Sequence, residues 1–238
     1  MTFDLSPEQL ELRDAARAFA RERVAAAASS IDERAEMPAD LIGDAAALLA
    51  RAGDAQAAAL VTEELAASSA SLALSVAAGL AGHELPGLRG SRLPGKGELD
   101  PRLRVLVGAV ALGLGRAALD AAVEVFKRDG ERPSGLTHER PHWVLADAAT
   151  EMDAARLLLW QGAQTVADGA GEARIALAQT LAVSAAERAV AAALRVAGAE
   201  AYERGAQLER LSRDAKTLSF VGGTEEDHRL VAAQGFAD

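Results

Sequence analysis

Apolar positions along this chain recur at helical spacing, and nowhere in the strict alternation of a half-buried strand. Leu12, Ala15, Ala16 and Phe19 stand at i, i+3, i+4 and i+7, one buried face of a helix. Just ahead, Ser6-Pro7-Glu8-Gln9 predicts how that helix starts. Ser6 serves as N-cap, Pro7 as first helical residue, and Gln9 completes a capping box. Pro38 opens a second helix over 39–52, and a third and fourth are expected over 55–67 and 69–81. The stretch from Glu84 to Pro101, dense in glycine and proline, reads as a loop and is the clearest break in the pattern. Beyond it the helices lengthen: 103–127, 141–167, 173–196, a short segment over 206–216 and a last one after Thr224. In the second of these, Leu145, Ala148, Ala149, Met152, Ala155 and Leu159 form one stripe. The expected fold is all-α: a helical N-terminal domain over 1–83, a connector over 84–101, and a C-terminal four-helix bundle over 102–238.

Composition sharpens this picture. Half of the 238 residues are apolar, alanine leads them and only 3% are aromatic, which favours closely packed helices. Gly108, Gly113 and Gly115 fall inside one helix and predict close helix contacts; a dinucleotide fingerprint would need a preceding strand. A net charge of −10 argues against a nucleic-acid partner. No cysteine is present, so disulfides, thiolate nucleophiles and zinc–thiolate sites fall away together. The first residues show no export signal, and the mainly apolar stretches 71–81 and 105–115 fall short of the roughly 18 residues of a membrane span. A cytoplasmic protein without a membrane partner is expected.

Several segments together resemble the acyl-CoA dehydrogenases, flavoproteins that desaturate acyl-CoA thioesters. LSPEQLELRDAARAFARERV is similar to the family's first helix, and VTEELAASSASLALS to the helix lining its acyl pocket. LADAATEMDAARLLL, LERLSRDAK and FVGGTEEDHRLVAA resemble its C-terminal four-helix domain in order and spacing. The family's central β-domain has no counterpart here, its place being taken by the connector. The glycine-rich loop near the family's acyl pocket is likewise replaced, by ARAGDAQA.

The chemistry that the resemblance implies needs a carboxylate to remove the α-proton and a flavin to accept hydride from the β-carbon. In much of the family the base is the glutamate before a Gly-Thr pair near the C-terminus, which here is Gly222. In other members it lies at the start of the first helix after the β-domain, which here is Leu103, between Arg102 and Arg104. No catalytic residue is therefore expected. Glu225 and Glu226, nearby, read as helix N-terminal charge.

The resemblance implies cofactor contacts at five positions. Arg128 matches the arginine that reaches flavin phosphates across a dimer interface, although Glu131-Arg132 replaces the Phe-Gly that follows it. In RVAGAEAY, Arg195 stands where the family has glutamine, and Gly198 survives. Thr224 and Glu226 resemble the threonine and polar residue near the adenine. Arg210, Arg213, Asp214 and Lys216 also match, with structural ion pairs as the competing reading.

His138-Glu139-Arg140-Pro141-His142 fits the HExxH zinc pattern, which needs both histidines on one continuous helix. Pro141 would break such a helix and fits better as its first residue, so no metal is expected. His83 and His228 read as surface or satisfied histidines. Three functions follow from the resemblance. The first is a subunit, inactive alone, that supports a flavin site in a heteromeric acyl-CoA dehydrogenase, acting on bulky or steroid-derived acyl-CoA. The second is a homo-oligomeric binding or scaffold pseudoenzyme that has lost FAD. The third is an active dehydrogenase, or a related enzyme, whose base is none of the residues named here. On the first two, FAD is expected only in complex with a partner, and the partner is a second copy or a full-length dehydrogenase subunit. The alanine and leucine of the long helices exceed what one bundle needs to hide, which predicts assembly through the second half.

Overall fold

The computed structural model describes residues 4–82, 94–129, 139–169 and 171–235, and no strand occurs among them. The helices are α1 (Pro7–Phe19), α2 (Ala25–Arg34), α3 (Ala39–Ala50), α4 (Ala55–Ser68), α5 (Ala70–Leu80), α6 (Pro101–Asp129), α7 (Glu139–Thr165), α8 (Glu172–Ala197), α9 (Gln207–Leu218) and α10 (Glu225–Gln234). α1 starts as predicted. Ser6 accepts from the Gln9 amide, Gln9 returns the bond to the Ser6 amide, and Pro7 is the first helical residue. The hydrophobic pattern did not show that α1 continues through a π-turn, Ala20–Val24, straight into α2. α7 also begins two residues earlier than expected, with Pro141 in its first turn, where the backbone N–H has no helical partner anyway.

α6 is the axis of the molecule. α7 runs antiparallel to it: Gly108 faces Leu159, whose Cδ1 would lie 2.6 Å from an added Cβ, and Gly115 faces Met152. α8 runs parallel to α6, with Arg104 bonded to Gln179 at 3.0 Å and Gly115 against Ala186. α4 crosses α6 where Gly113 faces the Glu63 carbonyl and Ala66. The three glycines thus permit the close approaches expected of them.

α5 and α9 cover α6 as well, and the run Val105–Leu112 is buried apart from Gly108's missing side chain. Much of the apolar surplus read as an interface is therefore enclosed within this chain. The same holds for membrane spanning. By length and hydropathy α6 and α8 would qualify, contrary to the shorter apolar runs counted above, but 78% and 50% of their apolar windows are buried inside the protein.

Two buried glutamates tie the halves together. Glu64 of α4 receives bidentate hydrogen bonds from Arg17 of α1 and from Arg116 of α6. Glu63 beside it receives Arg156 of α7 at 3.0 Å and Arg116 at 3.3 Å. Burial pushes the Glu64 carboxyl up, but the two guanidinium groups outweigh it and hold the pKa below its ordinary value.

On α9, Arg213 clamps Asp32 of α2 and Glu209, both at 2.7 Å, and Lys216 reaches Glu187 at 3.4 Å, so the ion-pair reading holds for these matched residues. Asp214 differs. Burial raises its carboxyl to about 6, against the opposing pull of Arg210 and Arg213. A carboxylate whose folded pKa exceeds its unfolded value favours the fold below about pH 4, and that advantage is lost as pH rises through 6. Asp214→Asn is therefore expected to stabilise the protein by about 1–2 kcal/mol at pH 8, discounted for partial exposure. The gain should vanish near pH 4. Thermal melts of both proteins from pH 4 to 8 test this, and a gain independent of pH would reject it.

Candidate functional site

The turn between α9 and α10 carries the residues matched to the base and the adenine contact. Thr224 is the N-cap of α10 and Asp227 completes a capping box with it, each accepting from the other's backbone amide. Gly222 and Gly223 turn the chain with φ of +84° and +126°, conformations that cost other residues strain. The end of the connector is strapped onto this turn. Gly222 N–H donates to the Pro94 carbonyl at 2.6 Å, and Lys96 pairs with Asp227 at 2.7 Å. The Lys96 ammonium holds the Asp227 carboxyl down at about 2.

Leu99 lies against the Cα of Gly222, so that any Cβ there would collide with its Cγ and Cδ1. Leu103 is fully buried in the first turn of α6, whose N-terminus Asp100 caps by accepting from the Leu103 amide at 2.8 Å. Both candidate base positions are thus apolar, and one of them is packed shut. Glu225 pairs with Arg229 at 2.6 Å, and Glu226 is exposed, its pKa lowered by backbone and Thr224 hydrogen bonds.

Beneath this turn lies a polar cluster that the sequence reading did not single out. Arg104, 3% exposed, hydrogen-bonds to Gln179 and to His228 Nδ1, both at 3.0 Å, while His228 Nε2 contacts the Val221 carbonyl at 3.1 Å. His228 is thus a satisfied buried histidine, as expected. Arg104 could have been suspected from its position inside the apolar run LRVLVGAVAL, where a helix buried all round leaves its charge no route to water.

The remaining candidates sit elsewhere. Arg195 is exposed in the last turn of α8, and Gly198 ends that helix with φ +83° and open space around its Cα. Arg128 lies in the last turn of α6, and its side chain is outside the described residues. Because α6 and α8 are parallel, this end is about 25 Å from the Gly222 turn, some 17 residues at 1.5 Å each. The seven residues singled out therefore fall into two groups: Gly222, Leu103, Thr224 and Glu226 at one end, Arg128, Arg195 and Gly198 at the other.

A groove of about 1130 Å³ borders the second end, walled by Ala20, Ala67, Ala121, Ala197, Ala201 and Leu208, with Arg17, Glu64 and Arg116 along it. The Thr224 hydroxyl is engaged by Asp227. Of the zinc-like motif, His142 stacks edge-on against Phe126 at 4.7 Å, while His138, like His83, lies outside the described residues.

The sequence models of the acyl-CoA dehydrogenase N-terminal and C-terminal domains match residues 6–86 and 101–237, with only 87–100 between them. Among curated relatives, the 3-sulfinopropanoyl-CoA desulfinase of Paraburkholderia xenovorans is 34% identical over 131 residues, 55% of this chain and 34% of that protein. The cyclohex-1-ene-1-carbonyl-CoA dehydrogenase of Geobacter metallireducens is 32% identical over 134 residues, 55% of this chain and 35% of that protein. The chain thus spans about a third of the length of the curated relatives it matches. The fold is shared with the butyryl-CoA dehydrogenase of Megasphaera elsdenii, at a TM-score of 0.85 and 17% identity over the full length of both chains. A structure of PigA with FAD and proline matches at a TM-score of 0.83 and 14% identity, covering 100% of this chain and 99% of that one. With the family's C-terminal domain matched over residues 101–237 and its N-terminal domain over 6–86, this chain belongs to the acyl-CoA dehydrogenase family.

Proposed function

We propose that this chain is a non-catalytic subunit that contributes to a flavin site completed by a full-length acyl-CoA dehydrogenase partner. The observation that carries the reading is the packing of Leu99 onto Gly222 next to the buried Leu103. α,β-Desaturation needs a carboxylate within reach of the α-proton, and a positioned base contributes roughly 10²–10⁴-fold. Here both base positions are apolar. The separation of the cofactor-matching residues into two ends supports a shared site, because Arg128, Arg195 and Gly198 would serve a flavin held mainly by the partner. Trp143 and Leu157 of α7 and Leu177 of α8 are exposed and supply an apolar surface for that pairing through the second half.

The two curated relatives and the butyryl-CoA dehydrogenase named above carry an acyl-CoA in their names, which supports an acyl-CoA as the substrate class of the assembled enzyme, with bulky or steroid-derived acyl groups the finer proposal. The test is flavin absorbance and acyl-CoA oxidation, measured on the chain alone and co-expressed with a full-length dehydrogenase from its genomic neighbourhood. The chain alone is expected to be colourless and inactive, and the complex yellow and active. Stoichiometric flavin with turnover in the isolated chain would overturn the reading. A colourless homodimer that binds no dehydrogenase would favour the scaffold function instead.

A further inference from the structure

Arg104 Nη1 and His228 Nδ1 lie 3.0 Å apart inside the protein, on side chains of residues only 3% and 6% exposed. A guanidinium can only donate, so Nδ1 is the acceptor. The ring proton then sits on Nε2, which donates to the Val221 carbonyl at 3.1 Å. Both partners together fix the imidazole as one neutral tautomer. A proton added at Nδ1 would set N–H against N–H and a second cation against Arg104, away from water.

The acids around the ring are already engaged. From α6 the charged group that faces it is Arg104 itself. From α8 come the neutral Gln179 and Ser184 and the carboxylate of Glu187, which pairs with Lys216 at 3.4 Å. α9 contributes Leu218 and Ser219. On α10, Glu225 pairs with Arg229 at 2.6 Å, and Asp227 with Lys96 of the connector at 2.7 Å. Burial accordingly pushes the His228 pKa below its ordinary value and Arg104 adds to the effect, against opposing pulls from the Val221 carbonyl and Asp227.

The position of the ring gives its charge state a consequence. It clips the carbonyl of Val221 to the start of α6, and the next residue, Gly222, is where the connector is strapped through Pro94 and covered by Leu99. We propose that His228 is an acid-released latch on this turn. Neutral, it ties Val221 to Arg104 and keeps the connector seated on Gly222. Protonated, it lets go of Arg104, and the turn and connector loosen while the long helices stay packed. Because the folded pKa is depressed, the latch contributes fully above the unfolded value of about 6.5 and loses strength as pH falls from there toward the folded value.

NMR of the full chain tests this with two reporters. The His228 ring signals follow its protonation, and exchange of the Gly222 amide, bonded to the Pro94 carbonyl, follows the strap. Corrected for the intrinsic pH dependence of exchange, Gly222 protection is expected to fall about tenfold per pH unit below about 6.5, levelling off once the closed state is protonated too. Core amides such as those of Leu112 in α6 and Ala186 in α8 should hold their protection. His228→Gln keeps an acceptor for Arg104 and a donor for Val221 but takes up no proton, so its Gly222 protection should change by less than about twofold over the same range. Should that variant fail to fold, the ring titration and the Gly222 exchange of the parent protein decide the matter. A ring pKa at or above the ordinary value, flat Gly222 protection, the same fall in His228→Gln, or an equal fall at Leu112 and Ala186 would each overturn the proposal.

Discussion

Replacing Glu64 with alanine is expected to destabilise the protein by about 3 kcal/mol, the low end of the range for breaking a buried ion pair from one side. The low end applies because Arg17 and Arg116 are 37% and 26% exposed, so part of each guanidinium can recover water once its partner is gone. Glu64 itself is 5% exposed and joins three helices that are distant in sequence. Its loss would loosen the N-terminal helices from the bundle rather than unwind any one of them. Urea denaturation measures the change, and Glu64→Gln, which keeps acceptor and shape but removes the charge, should lose less. A loss under 1 kcal/mol for Glu64→Ala would show that the network is ordered by its surroundings and adds little of its own. Since the carboxyl's folded pKa lies below its unfolded value, the contribution is present above the unfolded pKa and fades as pH falls through the folded one.

The helices were legible because their information is local. Caps such as Ser6 and Thr224, breaks at Pro38 and the glycine-rich connector, and apolar stripes at a spacing of three and four each act within a turn or two. Gly108, Gly113 and Gly115 were legible as close contacts because a missing Cβ inside a helix has few other uses. Which helix each would meet was not, since that depends on how the elements cross. The continuation of α1 into α2 escaped notice because a π-turn shifts the hydrophobic phase between them. The alanine and leucine of the long helices pointed to assembly, but α6 turns much of its share toward α4, α5, α7, α8 and α9 within the chain.

The site was legible where a family motif could be laid on single residues, as for Gly222 and Leu103. Contacts between distant segments were not. Leu99 reads as one more residue of a loop until the fold brings it to Gly222, and the partners of Arg104, Gln179 and His228, lie 75 and 124 residues away in sequence.

The packing of Leu99 against Gly222 also says what it would take to put a base back. Gly222→Glu is expected to cost about 2–5 kcal/mol. Roughly 1–2 kcal/mol comes from holding a side chain at φ +84°, and about 1–3 kcal/mol from forcing it into Leu99. Leu99→Ala alone should cost about 2–4 kcal/mol through the cavity it opens. If the two residues exclude one another, the double variant will be more stable than the sum of the single losses implies, by about 1–3 kcal/mol, because the space vacated by Leu99 takes the new side chain. Denaturant unfolding of the four proteins gives this coupling directly. Additive losses would mean that Leu99 yields freely, and the base position would then be empty only by amino-acid replacement. A positive coupling would mean that the connector has taken over the position. In that case Gly222→Glu on its own should leave a yellow complex no more active than its parent, because the carboxylate cannot settle where Leu99 still stands.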